Sequence, residues 1–181
     1  MNNFSIPVLE TDRLILREPR HTDFEPYARF FEDEQSRGIG GPVPRDMAWR
    51  KLATLAGHWM LKGYGMWALE EKTTGELVGF SGPWNPEGWT EREIGWSLML
   101  GKTGHGYATE AALKARHYAY TELGWKTAIS LIADFNEASK RVAMRMGATF
   151  EEERTIPFQG ASLKADIYRH PGPEELGLTA S

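Results

Sequence analysis

The sequence predicts an α/β (α+β) domain with a mixed, mostly antiparallel central sheet and helices packed on it. Three observations carry this. Segments of strand-like and helix-like periodicity follow in the order β-α-α-β-β-β-α-β-α-β-β, with no internal repeat and no low-complexity block. The three strands after the helix pair are joined by short links and must be antiparallel neighbours, whereas the fourth and fifth are joined through a helix and must run parallel. The length of 181 residues, with 41% hydrophobic and 25% charged side chains, suits one globular domain. Residues 1–170 are assigned to it; residues 171–181 have no periodicity and read as a mobile tail.

The first strand is Arg13 to Glu18, where arginine and aliphatic residues alternate after a Thr11-Asp12 turn. His21 to Asp33 is helical, with Phe24, Tyr27, Ala28 and Phe31 on one side. Glycine and proline from Gly38 to Pro44 stop any helix, so that segment is expected to be a flexible loop, and a second helix follows over Asp46 to Lys62. Met66 to Glu71 and Leu77 to Gly82 form a hairpin about Gly75. A loop carrying Trp84 and Trp89 leads to the fourth strand, Glu91 to Leu100, where Ile94, Trp96 and Leu98 share one face and Glu93, Gly95, Ser97 and Met99 the other. Gly104 to Glu110 opens a helix whose inner stripe is Ala108, Ala112, Ala115 and Ala119; such small side chains permit close packing on a sheet. Lys126 to Ala133 is the fifth strand. Asn136 caps a helix that ends at Gly147, and Phe150 to Ile156 pairs with Leu163 to Arg169.

Composition narrows the function. A formal charge of −4 gives no general attraction for phosphate backbones, so no nucleic-acid partner is expected. The absence of cysteine removes disulfides, thiolate metal sites and cysteine nucleophiles. The five histidines lack metal-ligand spacing, so no metal is expected. No apolar run approaches the ~20 residues of a membrane helix, and the first residues lack a basic start and apolar core, which together predict a cytoplasmic protein with no membrane partner. Of the seven tryptophans, Trp59, Trp67, Trp96 and Trp125 are assigned to the core, and Trp84 and Trp89, with Ile39 in the glycine-proline loop, to an acceptor wall.

The most informative segment is Gly104-His105-Gly106-Tyr107-Ala108, a strand-to-helix turn suited to an anion. Glycine allows close approach, and the first amides of the helix have no internal partner. A P-loop would need its leading glycine at Trp96, and a dinucleotide fingerprint would need Gly or Ala at Thr109. The third candidate is an acyl-coenzyme A loop. The chain from about Leu9 to Arg169 resembles the GNAT family of N-acetyltransferases, particularly its RimJ/RimL-like branch. The resemblance rests on Glu10 to Arg17, Glu93 to Leu98, Gly104 to Ala111, Asn136 to Ser139 and Met146-Gly147-Ala148. The family's loop reads Arg/Gln-x-x-Gly-x-Gly/Ala; Gly106 and Ala108 match it, and Thr103 departs, which weakens phosphate contact.

The resemblance implies a sheet splayed between the fourth and fifth strands, with the pantetheine of acetyl-CoA lying in the gap. It places cofactor contacts at Leu98, Met99 and Leu100, at Thr103, Gly104, His105, Gly106, Tyr107, Ala108 and Thr109, and at Asn136 and Ser139. It implies direct attack by a primary amine (a protein N-terminus, an amino acid or a small amine), with a fourth-strand amide at the oxyanion. The tyrosine that many members place four residues before the helix-ending glycine is Ala143 here, and the resemblance to the RimJ/RimL-like branch implies Ser139 as the substitute acid for the departing thiolate. Glu93 is the candidate base. Each has a plainer reading, Ser139 as a helix-start residue and Glu93 as a paired strand carboxylate. In a weakly equipped site an α-amine, of pKa near ~7.8, is easier to free than a lysine near ~10.4. The resemblance allows a homodimer. A catalytically silent acyl-CoA binding module, for which the missing tyrosine speaks, stays open beside the transferase, and a nucleotide-binding enzyme is the third reading.

Overall fold

A computed structural model describes residues 5–158 and 161–178. Eight strands form one sheet in the order β1-β2-β3-β4-β5-β6-β8-β7. They are β1 (Leu9–Glu10), β2 (Leu14–Arg17), β3 (Trp67–Glu71), β4 (Leu77–Trp84), β5 (Glu93–Leu98), β6 (Ile129–Ala133), β7 (Thr149–Phe158) and β8 (Ala161–Arg169). Every neighbouring pair is antiparallel except β5 and β6, which are parallel. The expected mixed, mostly antiparallel sheet is therefore found, and its fourth and fifth expected strands are β5 and β6.

The helices are α1 (Phe24–Glu32), α2 (Arg45–Lys62), α3 (Tyr107–Thr121) and α4 (Glu137–Arg145). One face of the sheet takes α3, whose Ala111, Ala112, Ala115 and Ala119 are wholly buried beside Leu14, Leu16, Trp67 and Ile94. A helix lined with methyl groups lies close to the strands, and that places its N-terminus at the end of β5. The other face takes α1 and α2 through Tyr27, Phe31, Leu52 and Leu55, which meet Phe80 and Met99 of the sheet side. Arg17 turns to this second face, where its guanidinium makes a bidentate pair with Asp23 (2.8 and 2.9 Å) and reaches Glu70 at 2.6 Å.

Several sequence expectations are corrected. The flexible loop expected from Gly38 begins inside a 3-10 helix, Glu34–Ile39. Asp33 caps this helix by accepting from the Gln35 N–H at 2.8 Å, and Gly40 ends it at φ 84°. Val43 N–H then bonds Phe31 O at 2.8 Å, so the segment is tied to α1. Trp84, expected in a loop, is the last residue of β4 and pairs with Glu93. Pro83 concealed this, because proline argues against a central strand. It is tolerated because it faces Ile94, whose backbone points to β6, and because β3 pairs no farther along β4 than Ser81. Of the tail read as mobile, residues 171–178 are turned and packed: Leu178 N–H bonds Pro173 O at 2.7 Å, and Leu176 and Leu178 lie against the α3 core. Residues 179–181 lie outside the described residues.

Candidate active site

The site begins where the β5–β6 ladder stops. Its single register pair is Glu93 with Ile129, and Ile129 N–H bonds Arg92 O at 3.0 Å. In a continuing parallel ladder the next rung would join Leu131 N–H to Ile94 O. Side chains replace it. Ser130 Oγ donates to Ile94 O at 2.7 Å, and Leu131 N–H donates to Glu93 Oε1 at 3.4 Å. Beyond this point the strands are unpaired. Met99 N–H bonds Val78 O at 3.0 Å, and antiparallel alternation then directs the amides of Gly95 and Ser97 to β4, leaving those of Trp96 and Leu98 facing the gap.

A buried chain of donors pins the parting point. Arg116 Nη1 donates to Met146 O (2.6 Å) and to His170 Nδ1 (3.2 Å). With Nδ1 accepting, the ring proton is on Nε2 and is given to Ser130 Oγ at 2.9 Å, which frees the hydroxyl hydrogen for Ile94 O. Burial, helped by Arg116 and Arg169, pushes His170 down to about 3, so it stays neutral in this role.

A cavity of about 330 Å³ opens at the gap. Trp84, Trp89, Ile39, Glu93, Asn136 and Ser139, which the sequence reading distributed over four segments, all line it. Trp89 Nε1 donates to Glu93 Oε2 at 2.7 Å. Burial of Glu93, 7% exposed, outweighs that bond and the Leu131 amide and pushes its carboxyl up to about 7. Trp84 is stacked on His58 (4.4 Å between ring centres), and His58 is itself held by Tyr64 O at 2.7 Å. Two walls of the cavity are thus braced from behind.

The glycine turn that the sequence suggests for an anion lies beyond Leu100. Thr103, Gly104, His105 and Gly106 are exposed, and both glycines adopt left-handed backbone (φ 85° and 81°). Gly106 is the N-cap of α3, and Glu110 N–H, bonded to Gly106 O at 3.1 Å, closes the first intrahelical turn. The amides of Tyr107, Ala108 and Thr109 are the open ones of that turn. Thr109 Oγ1 is buried without a hydrogen-bond partner among the described residues. Tyr107 is buried, with its hydroxyl bonded to Glu71, and its ring stacks with His105. Arg13, which the sequence places on the first strand and in the Glu10 to Arg17 motif, reaches this turn: its Nη1 donates to His105 O (2.8 Å), it pairs with Glu110 (2.6 Å), and it lies over the Tyr107 ring. It braces the turn from a remote part of the chain, with its charge paired to Glu110.

On α4, Asn136 Oδ1 accepts from Ser139 N–H at 3.1 Å, the expected cap. Ala143, one turn after Ser139, is wholly buried against Ile132 and Tyr168. No bond to Ser139 Oγ is found among the described residues. Met99 is buried in the α1–α2 core and Leu100 is exposed beside the turn.

The residue profile of the Acetyltransferase (GNAT) domain matches residues 13–149. The chain belongs to the GNAT family. The GNAT relatives include the uncharacterized N-acetyltransferase YoaA of Bacillus subtilis, 31% identical over 93% of this chain and 99% of that protein. An acetyltransferase of Agrobacterium tumefaciens superposes with a TM-score of 0.81 at 34% identity, over 93% of this chain and 96% of that one. The RimL ribosomal L7/L12 α-N-protein acetyltransferase, solved in complex with coenzyme A, shares the GNAT fold at 14% identity, with a TM-score of 0.72 over 91% of this chain and 97% of its own. GNAT acetyltransferases use acetyl-CoA, and the residues here suit it. Among the described residues, the unpaired β5 edge, the open first-turn amides and the orphaned Thr109 hydroxyl offer hydrogen-bonding groups that fit an extended thioester arm and an anion. No helix among the described residues is long and apolar enough to cross a membrane.

Proposed function

We propose that this GNAT protein moves the acetyl group of acetyl-CoA to the nitrogen of a primary amine, with β5 and the Thr103 to Thr109 turn as the cofactor seat. The observation that supports this most is the replacement of the second β5–β6 rung by Ser130 and Glu93, which leaves an extended backbone edge open beside a cavity. Motifs at residues 10–17 and 104–111 support a RimJ/RimL-like assignment.

Acetyl-CoA supplies the acyl group as a thioester. Glu93 takes the proton of the incoming ammonium; with its carboxyl raised to about 7 it is ionised at mildly alkaline pH yet basic enough to accept. The Trp96 amide faces the gap and stabilises charge on the carbonyl oxygen. Ser139, held at the start of α4 by Asn136, gives its hydroxyl proton to the sulfur as the C–S bond breaks and takes up the second proton of the newly acylated nitrogen, so the serine ends neutral and Glu93 returns the first proton to solvent.

Release of free thiol from acetyl-CoA over a panel of amines tests this reading. Turnover is expected with at least one primary amine, and Ser139→Ala is expected to lower kcat by about 10-fold or more with little change in thermal stability. Coenzyme A raising the melting temperature without turnover of any amine would point to a silent acyl-CoA binding module.

A further inference from the structure

Resting on the acetyl-transfer reading, we infer that the acceptor is a small primary amine carried on an aromatic or bulky apolar body. The cavity lining decides this. Seven aromatic residues contribute: Tyr27, Phe31, Phe80, Trp84, Trp89, Trp96 and Phe158. They come from α1, β4, the β4–β5 connection, β5 and β7, so apolar surface meets the ligand from several sides. Trp89 and Phe158 lie edge to face at 6.3 Å between centres, and Trp84 rests on His58, so the walls are set before a ligand arrives.

Charge selects the amine end. Glu93 is the one carboxylate in the lining among the described residues, and Trp89 orients it. An ammonium placed there meets the carboxylate at the edge of an otherwise apolar wall. Lys51, the cation of the lining, lies over the Phe31 ring at 5.1 Å with Ile39 O at 3.5 Å. A polyamine would bring further ammonium groups that find no second carboxylate in this lining. A peptide would bring several amide groups that need partners, yet Ser130 is engaged by Ile94 and His170, Thr54 by Arg50 O and Asn136 Oδ1 by the Ser139 amide, and the hydroxyl of Ser139 serves the departing sulfur in the proposed reaction. At about 330 Å³ the cavity also sits at the small end of ligand sites.

The test uses the full chain with acetyl-CoA and compares kcat/KM for 2-phenylethylamine, L-phenylalanine, ethylamine, spermidine and an alanine-initiated tetrapeptide. The expected result is that an aromatic amine exceeds ethylamine by about 100-fold, the worth of burying one ring. The two aromatic probes distinguish an amine with a neighbouring carboxylate from one without. In Phe158→Ala the ratio of phenylethylamine to ethylamine should fall about 10-fold, through KM. Spermidine or the tetrapeptide as best acceptor, or ethylamine equal to the aromatic amines, would overturn the inference while leaving acetyl transfer intact. Failure of coenzyme A to raise the melting temperature would instead remove the reading beneath it, and this inference with it.

Discussion

Leu131 N–H donates to Glu93 Oε1 at 3.4 Å, at the position where a parallel ladder would have used a backbone carbonyl. One side chain thereby ends the strand pairing and becomes a cavity wall. Glu93 satisfies an amide that the divergence of β5 and β6 would leave bare, and the low-dielectric surroundings that this requires raise its carboxyl to about 7. The structural role and the proposed role as base follow from one placement.

Replacing Glu93 should separate stability from activity. Because burial raises the folded carboxyl, the fold favours the protonated form; that contribution is full at low pH and is lost as pH rises from the ordinary carboxylate range through about 7. Glu93→Gln is therefore expected to be more stable than the parent at pH 8, by up to about 3 kcal/mol, with little gain at pH 4. In the parent, kcat at saturating amine should rise with pH and level off above about 7. The variant should lose about 100-fold and that inflection, as pH-dependent melting and steady-state rates will read.

Ser130→Ala removes the hydroxyl between Ile94 O and His170 and leaves both buried groups short of a partner. A loss of about 1–3 kcal/mol is expected in urea unfolding. KM for acetyl-CoA should rise more than kcat falls, because the altered feature is the place where the strands part.

Thr109→Val tests the anion turn. A buried hydroxyl with no partner contributes nothing to the free fold, so melting without ligand should be unchanged or slightly higher. Affinity for coenzyme A, read by calorimetry, should drop about 5- to 10-fold as one hydrogen bond is lost. Equal affinity would place that hydroxyl outside the cofactor contacts.

Arg17→Met should be costly for the fold alone. Asp23, 2% exposed, and Glu70 would lose their shared guanidinium, and removing one member of such a buried group costs about 3–5 kcal/mol. Chemical unfolding checks this.

What the sequence disclosed and what it hid follow from range. The alanine stripe of α3, the Asn136 cap and the Gly104 to Ala108 turn are local patterns, in which periodicity and backbone freedom are written within a few residues. Arg17 looked like an ordinary strand charge, and Glu93, though legible as a candidate base, gave no local sign of its burial, because their surroundings depend on partners brought by the turn before α1 and by β6. Trp84 was hidden by Pro83, whose missing N–H matters only once the neighbouring ladder is known. The Ser130–His170–Arg116 chain joins residues up to 54 apart in sequence and has no local signature.

Amide hydrogen exchange with and without saturating coenzyme A tests the cofactor seat most directly. Protection is expected at Trp96 and Leu98 on β5 and at Tyr107 to Thr109 at the head of α3, with the β4-bonded amide of Met99 unchanged. Exchange unaltered at both segments, with coenzyme A bound, would contradict the account.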